Sequence, residues 1–200
     1  MLKQQSTWTG ALAREMAASF RFAWLSGLLL CWAGVGYADQ NNADLPGWFD
    51  KLRNATSPSE AAPVEREIWS AWIDIADAGS RGLLAEGMRA MSAGNLDQAI
   101  EHFSVLIEAQ PTFAEAWNKR ATALFYSGKH DDSVRDIQAT LALEPRHFGA
   151  LSGLGLVFLE REDFRGALLA FEQVLIIHPQ SMFARVQAER LRKHLEKNPV

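Results

Sequence analysis

Two hundred residues accommodate one domain with an appendage and leave no room for two enzyme domains of ordinary size. With 48% apolar, 22% charged and 10% aromatic residues, the chain can bury a core, which excludes collagenous, mucin-like and disordered readings. A formal charge of −4 is the wrong sign for gaining affinity from phosphates, so nucleic acid is not an expected partner; the single cysteine, Cys31, offers neither an intramolecular disulfide nor a thiolate metal site.

The N-terminal stretch predicts an address. Phe20 to Tyr37 contains an apolar core of about a dozen residues preceded by Lys3, Arg14 and Arg21, the order of a secretory signal peptide. Gly36 and Ala38 are the small residues that a cut after Ala38 requires, so residues 1–38 are read as the signal peptide, with Met16 as an alternative start. The chain that remains begins at Asp39 and lacks cysteine. It is more acidic than the whole, since Lys3, Arg14 and Arg21 leave with the leader and only Glu15 goes with them. The alternative is an uncleaved anchor, because the run from Phe20 to Tyr37 approaches a bilayer span of about 20 residues, although Arg21 lies inside it. The expected location is the periplasm. Inner-membrane anchoring, facing the periplasm, is the alternative, and a membrane is a partner only if the leader is retained.

Residues 39–79 read as an exit linker and a helix pair, Leu45 to Ala55 and Ser59 to Ala76. Ser59 is placed to cap the second helix, with Pro63 in its first turn. Ile68, Trp69, Trp72, Ile73 and Ile75 are too apolar for solvent and are expected to cover the exposed flank of the segment that follows.

That segment is periodic. Pro111, Pro145 and Pro179 recur at one fixed interval and frame the equal blocks 80–113, 114–147 and 148–181. In this frame Gly87, Ala121 and Gly155 form a column of small residues, as do Ala99, Ser133 and Ala167, while Phe103, Ile137 and Phe171 form a column of large ones. Turns at Ala93-Gly94-Asn95, Ser127-Gly128-Lys129 and Arg161-Glu162-Asp163 halve each block, so there are two helices per unit. After Ser181, Met182 to Lys197 predicts one more helix, with Phe183, Val186, Leu191 and Leu195 among basic residues, as the polar cap over 182–200.

With Leu83, Trp117 and Leu151 at the fourth position of each block, and the run Ala116-Trp117-Asn118-Lys119-Arg120-Ala121, the chain resembles the tetratricopeptide repeat family. The resemblance implies an all-α fold, a right-handed α-solenoid of helix–turn–helix repeats with an N-terminal helix pair and a C-terminal capping helix. Glu86 and Arg120 depart from the family's apolar seventh position. Being one period apart, they are expected to pair across adjacent first helices.

Motifs for chemistry are missing. The five histidines have no metal-ligand spacing, Gly128-Lys129-His130 is not a phosphate loop, and Gly153-Leu154-Gly155 is a lone GxG on a predicted helix. No enzyme activity, cofactor or metal is expected. What the resemblance implies instead is a concave groove lined by the first helices, holding a protein or peptide segment. The groove positions are Leu84, Met88 and Met91 in the first repeat, and Asn118, Lys119, Thr122, Phe125 and Tyr126 in the second. Among them Met88, Met91, Phe125 and Tyr126 are apolar contacts, and Asn118 is an amide able to bond a peptide backbone in both directions. The competing expectation is that some of these side chains pack against the chain's own helices. The expected function is a periplasmic adaptor in envelope assembly or maintenance; the alternative is a membrane-anchored accessory subunit of an envelope enzyme complex, for cytochrome maturation or wall synthesis.

Overall fold

Apolar residues at helical spacing, interrupted by short polar turns, produce nine helices among the residues that the computed structural model describes, 42–75 and 77–198. The leader, Cys31, and the candidate start and cleavage points lie outside the described residues. The helices are α1 (Leu45–Asn54), α2 (Pro58–Ile73), α3 (Ala78–Ser92), α4 (Leu96–Ala109), α5 (Ala114–Tyr126), α6 (His130–Leu143), α7 (Phe148–Glu160), α8 (Phe164–Ile177) and α9 (Met182–Lys197). The pairs α3–α4, α5–α6 and α7–α8 stack successively as an α-solenoid, and α9 packs on α8.

Side-chain caps set several helix starts. Asp77 accepts from the backbone N–H of Ser80 at 2.7 Å, Asp163 from Gly166 at 2.8 Å and Ser181 from Ala184 at 3.4 Å. For α2 the cap is Ser57, which accepts from Glu60, with Pro58 next; Ser59 lies one residue inside, and Pro63 sits in the helix interior rather than its first turn. Inside each repeat the turn needs one left-handed residue. Gly94 and Gly128 fill it in the first two at φ 79° and 74°, whereas Glu162 adopts φ 58° in the third, a conformation that costs an L-residue roughly 1–2 kcal/mol.

The two columns of small and large residues are one packing device. A β-carbon at Gly155 would lie 2.7 Å from the ring of Phe171, and one at Gly87 would collide with Phe103. The second repeat has Ala121 facing a smaller partner, Ile137, in the same core cluster. First and second helices thus approach at a separation set by the sum of the two side chains.

Two further expectations fail. Ile75 joins the first-repeat core with Leu84 and Phe103, but Ile68 and Trp72 do not cover that flank: they pack with Phe148, Leu151 and Phe171 of the third repeat. The pair α1–α2 therefore folds back along the solenoid. Glu86 and Arg120 do not pair with each other. Arg120 forks onto Asp136 at 2.7 and 2.8 Å and also donates to Ser104, while Glu86 meets His102 at 3.5 Å. The contacts of Arg120 with Asp136 and of Glu86 with His102 each link a first helix to the second helix of its own repeat. The C-terminal helix α9 buries Ala184, Ala188 and Leu191 and leaves Phe183 and Val186 exposed.

Gly155→Ala is expected to destabilise by about 1–3 kcal/mol, overpacking against Phe171. Gly155→Ala with Phe171→Ile, which reproduces the pairing of Ala121 with Ile137, should be less destabilised than the sum of the single changes by about 1 kcal/mol. Urea denaturation of the two single variants and the double variant measures that coupling.

Candidate functional site

The concave side of the second and third repeats is organised around a buried carboxylate. Glu115 stands in the first turn of α5, and its side chain has no exposure. Its Oε2 accepts from Asn118 Nδ2 at 2.8 Å and lies 3.0 Å from His147 Nε2. Lys119 Nζ stands 2.9 Å from Oε1 and forms an ion pair with it. His147 Nδ1 accepts the backbone N–H of Ala150 at 3.1 Å, capping α7. That bond leaves the imidazole proton on Nε2, aimed at Glu115. Burial by itself raises the carboxyl pKa of Glu115, but the bond from His147 and the charge of Lys119 outweigh it and hold the group below the ordinary carboxylate value.

The helix pair α1–α2 closes over this cluster. Trp72 lies flat on His147, centroids 4.0 Å apart and planes at 9°, and Trp69 stands edge-on to Phe148 at 5.3 Å. Lys119 is 5.5 Å from the ring centre of Trp69, and Arg146, forked onto Glu144 at 2.9 Å, covers the ring of Phe49 at 4.1 Å. Glu65 meets His178 at 3.4 Å, and this bond holds the Glu65 carboxyl below its ordinary value. Gln180 donates to the carbonyl of Ala55 at 2.9 Å.

Beyond Trp69 the concave face opens into a cleft of about 140 Å³ between α5 and α7. Asn118, Thr122, Phe125 and Tyr126 line one side, Gly149, Ser152, Gly153 and Leu156 the other, and Ile137 the floor. Four of the eight residues read from the sequence as groove positions thus come together. Of the others, Leu84 is buried in the first-repeat core, Met91 packs against the same core, Met88 is exposed at the end of α3, and Lys119 is held by Glu115 under Trp69. The amide of Asn118 gives one of its two Nδ2 hydrogens to Glu115, which leaves the other hydrogen and Oδ1 for a ligand. Sequence reasoning missed Glu115 and His147 as a pair. The signal available was their spacing, just short of one repeat, which sets both at the starts of successive first helices.

The tetratricopeptide repeat family model matches residues 84–125 and 118–181. A TPR repeat-containing protein of Rhizobium etli is 32% identical over 150 residues, covering 75% of this chain and 74% of that one. The chain belongs to the tetratricopeptide repeat family. A heat-shock protein cognate co-chaperone of Aspergillus fumigatus is 27% identical over 67% of this chain, which spans only 40% of that relative. Among solved structures, the Sgt2 domain of Aspergillus fumigatus superposes with TM-score 0.57 at 24% identity, covering 60% of this chain and 82% of that one. The first such domain of Spaghetti, bound to an HSP90 peptide, gives 0.56 at 22%, covering 58% and 93%. At these identities the likeness is one of fold.

Because Glu115 and Glu65 sit below their ordinary values in the folded chain, the stability they contribute is complete above the unfolded value of 4.5 and is lost as pH falls through the folded ones. Urea midpoints should hold at neutral pH and decline below about pH 4.5. Glu115→Gln should cost roughly 2 kcal/mol at neutral pH and make the acid decline shallower. Circular dichroism melts across that range measure both.

Proposed function

We propose that the chain is a non-enzymatic, protein-binding scaffold that holds a short segment of a partner protein in the cleft between α5 and α7. The observation that carries this reading is the cleft: apolar and hydrogen-bonding side chains from two successive repeats converge on one open site, Asn118, Thr122, Phe125 and Tyr126 facing Gly149 and Ser152. The relatives support it in kind. The Spaghetti domain is bound to an HSP90 peptide, and the Aspergillus relative is named a co-chaperone. The segment held here is a short one, because Trp69 stands over Gly149 at one end of the cleft and leaves entry from the side of Tyr126.

The working location is the periplasm, reached through cleavage after Ala38, and the role is assembly or maintenance of the envelope. Anchoring as an accessory subunit of an envelope enzyme complex is the second reading, favoured by the length of the run Phe20–Tyr37.

Two measurements test these readings. A photo-crosslinking side chain at exposed Tyr126, in cells, is expected to give a discrete protein adduct that the same group at Glu101, on the outer side of α4, does not. Identical adducts from both positions, or none from Tyr126, would count against the cleft. The intact mass of the cellular protein should begin at Asp39; a retained leader would favour the anchored subunit.

A further inference from the structure

The hydrogens of three hydroxyls in the cleft are already engaged inward. Thr122 Oγ1 donates to the carbonyl of Asn118 at 2.9 Å, Ser152 Oγ to Phe148 at 2.8 Å, and Ser133 Oγ, on the floor, to Ala121 at 2.8 Å. Asn118 turns Nδ2 to Glu115, and its Oδ1 has no partner among the described residues. A hydroxyl whose proton is committed to a backbone carbonyl offers only lone pairs. Thr122 Oγ1, Ser152 Oγ and Asn118 Oδ1 therefore face the cleft as acceptors.

Three further features have the same sign. Phe125 and Tyr126 bring aromatic rings to the rim, with centroids 5.5 Å apart, and ring faces attract cations. Lys119, on the same helix, is neutralised by Glu115 and lies beneath Trp69. The chain as a whole carries −4. Below the acceptors, Ala121, Ile137 and Leu156 make an apolar floor, and the volume is roughly the bulk of one long side chain.

We propose that the cleft selects a basic side chain: a lysine or arginine on an extended partner segment. Its aliphatic stem lies on Ile137 and Leu156, and its N–H donors reach Asn118 Oδ1, Thr122 Oγ1 and Ser152 Oγ beside the ring of Phe125. This rests on the reading of the cleft as a peptide site and names what it recognises. An acidic side chain meets the lone pairs of Thr122 and Ser152 there, and is disfavoured.

A phage-displayed library of random dodecapeptides, selected on the immobilised full-length chain, tests it. The expected result is enrichment of peptides that share one basic residue. Their affinity should fall about fivefold or more with Phe125→Ala, and measurably with Thr122→Val, which removes an acceptor at nearly constant volume. Glu101→Gln should leave it unchanged, and circular dichroism establishes that each variant is folded. Enriched peptides that lose binding on Phe125→Ala but carry acidic or uncharged residues would overturn the basic class and leave the peptide site standing. Peptides that bind the wild type and Phe125→Ala alike, or no enrichment at all, would overturn both.

Discussion

Trp72 lying face to face on His147 is the contact on which the shape of the concave surface depends. His147 is fixed from three directions. Its Nδ1 caps α7, its Nε2 faces Glu115, and its ring receives an indole contributed by α2, two repeats earlier in the chain. Each contact needs the others. Without the cap the imidazole loses its tautomer; without Glu115 the buried proton on Nε2 has no acceptor; without Trp72 both polar groups meet water. Glu115 in turn is tolerable in a dry site because Asn118, His147 and Lys119 all answer it.

This arrangement decides what the solenoid offers a partner. A repeat stack presents a groove as long as the stack. Here α1–α2 is anchored across the second and third repeats by Leu45, Phe49, Leu52, Ile68 and Trp72, all essentially inaccessible. Burying five large apolar side chains contributes on the order of 10 kcal/mol before conformational entropy is subtracted. The helix pair is a permanent wall of the site. It converts a through-groove into a cleft closed at Trp69 and open near Tyr126, where chemistry can discriminate one side chain at a time. The acceptor-rich lining follows from the same crowding. Helical Thr122 and Ser152 bond backwards to carbonyls of their own helices, so only their lone pairs remain for a ligand.

The parts of this fold that recur were legible in the sequence. The spacing of Pro111, Pro145 and Pro179, the alternation of Gly87 with Phe103 and Gly155 with Phe171, and the helix from Met182 to Lys197 are local or periodic, and a single chain displays both. The docking of Trp69 and Trp72 was not legible. Their apolarity announced burial, but the partner surface at His147, Phe148 and Gly149 belongs to a different repeat, and no period links the two. The same limit explains Arg120. Identical columns suggested Glu86 as its partner, whereas the guanidinium reaches Asp136 on the helix it packs against within its own repeat. Asn118 was found as a groove residue but assigned too much freedom, because nothing local in the sequence shows that Glu115 is buried and engages one of its amide hydrogens.

The wall of the cleft exists only if α1–α2 lies over the third repeat, and nuclear Overhauser contacts of the Trp72 indole in the full-length chain test that placement most directly. Cross-peaks from the Trp72 ring protons to the His147 imidazole and the Phe148 ring, at the 4.0 and 4.9 Å centroid separations of those pairs, are the expected result. Cross-peaks from Trp72 instead to Leu83 or Ile100 of the first repeat would place the helix pair on the other flank and remove the wall from the cleft.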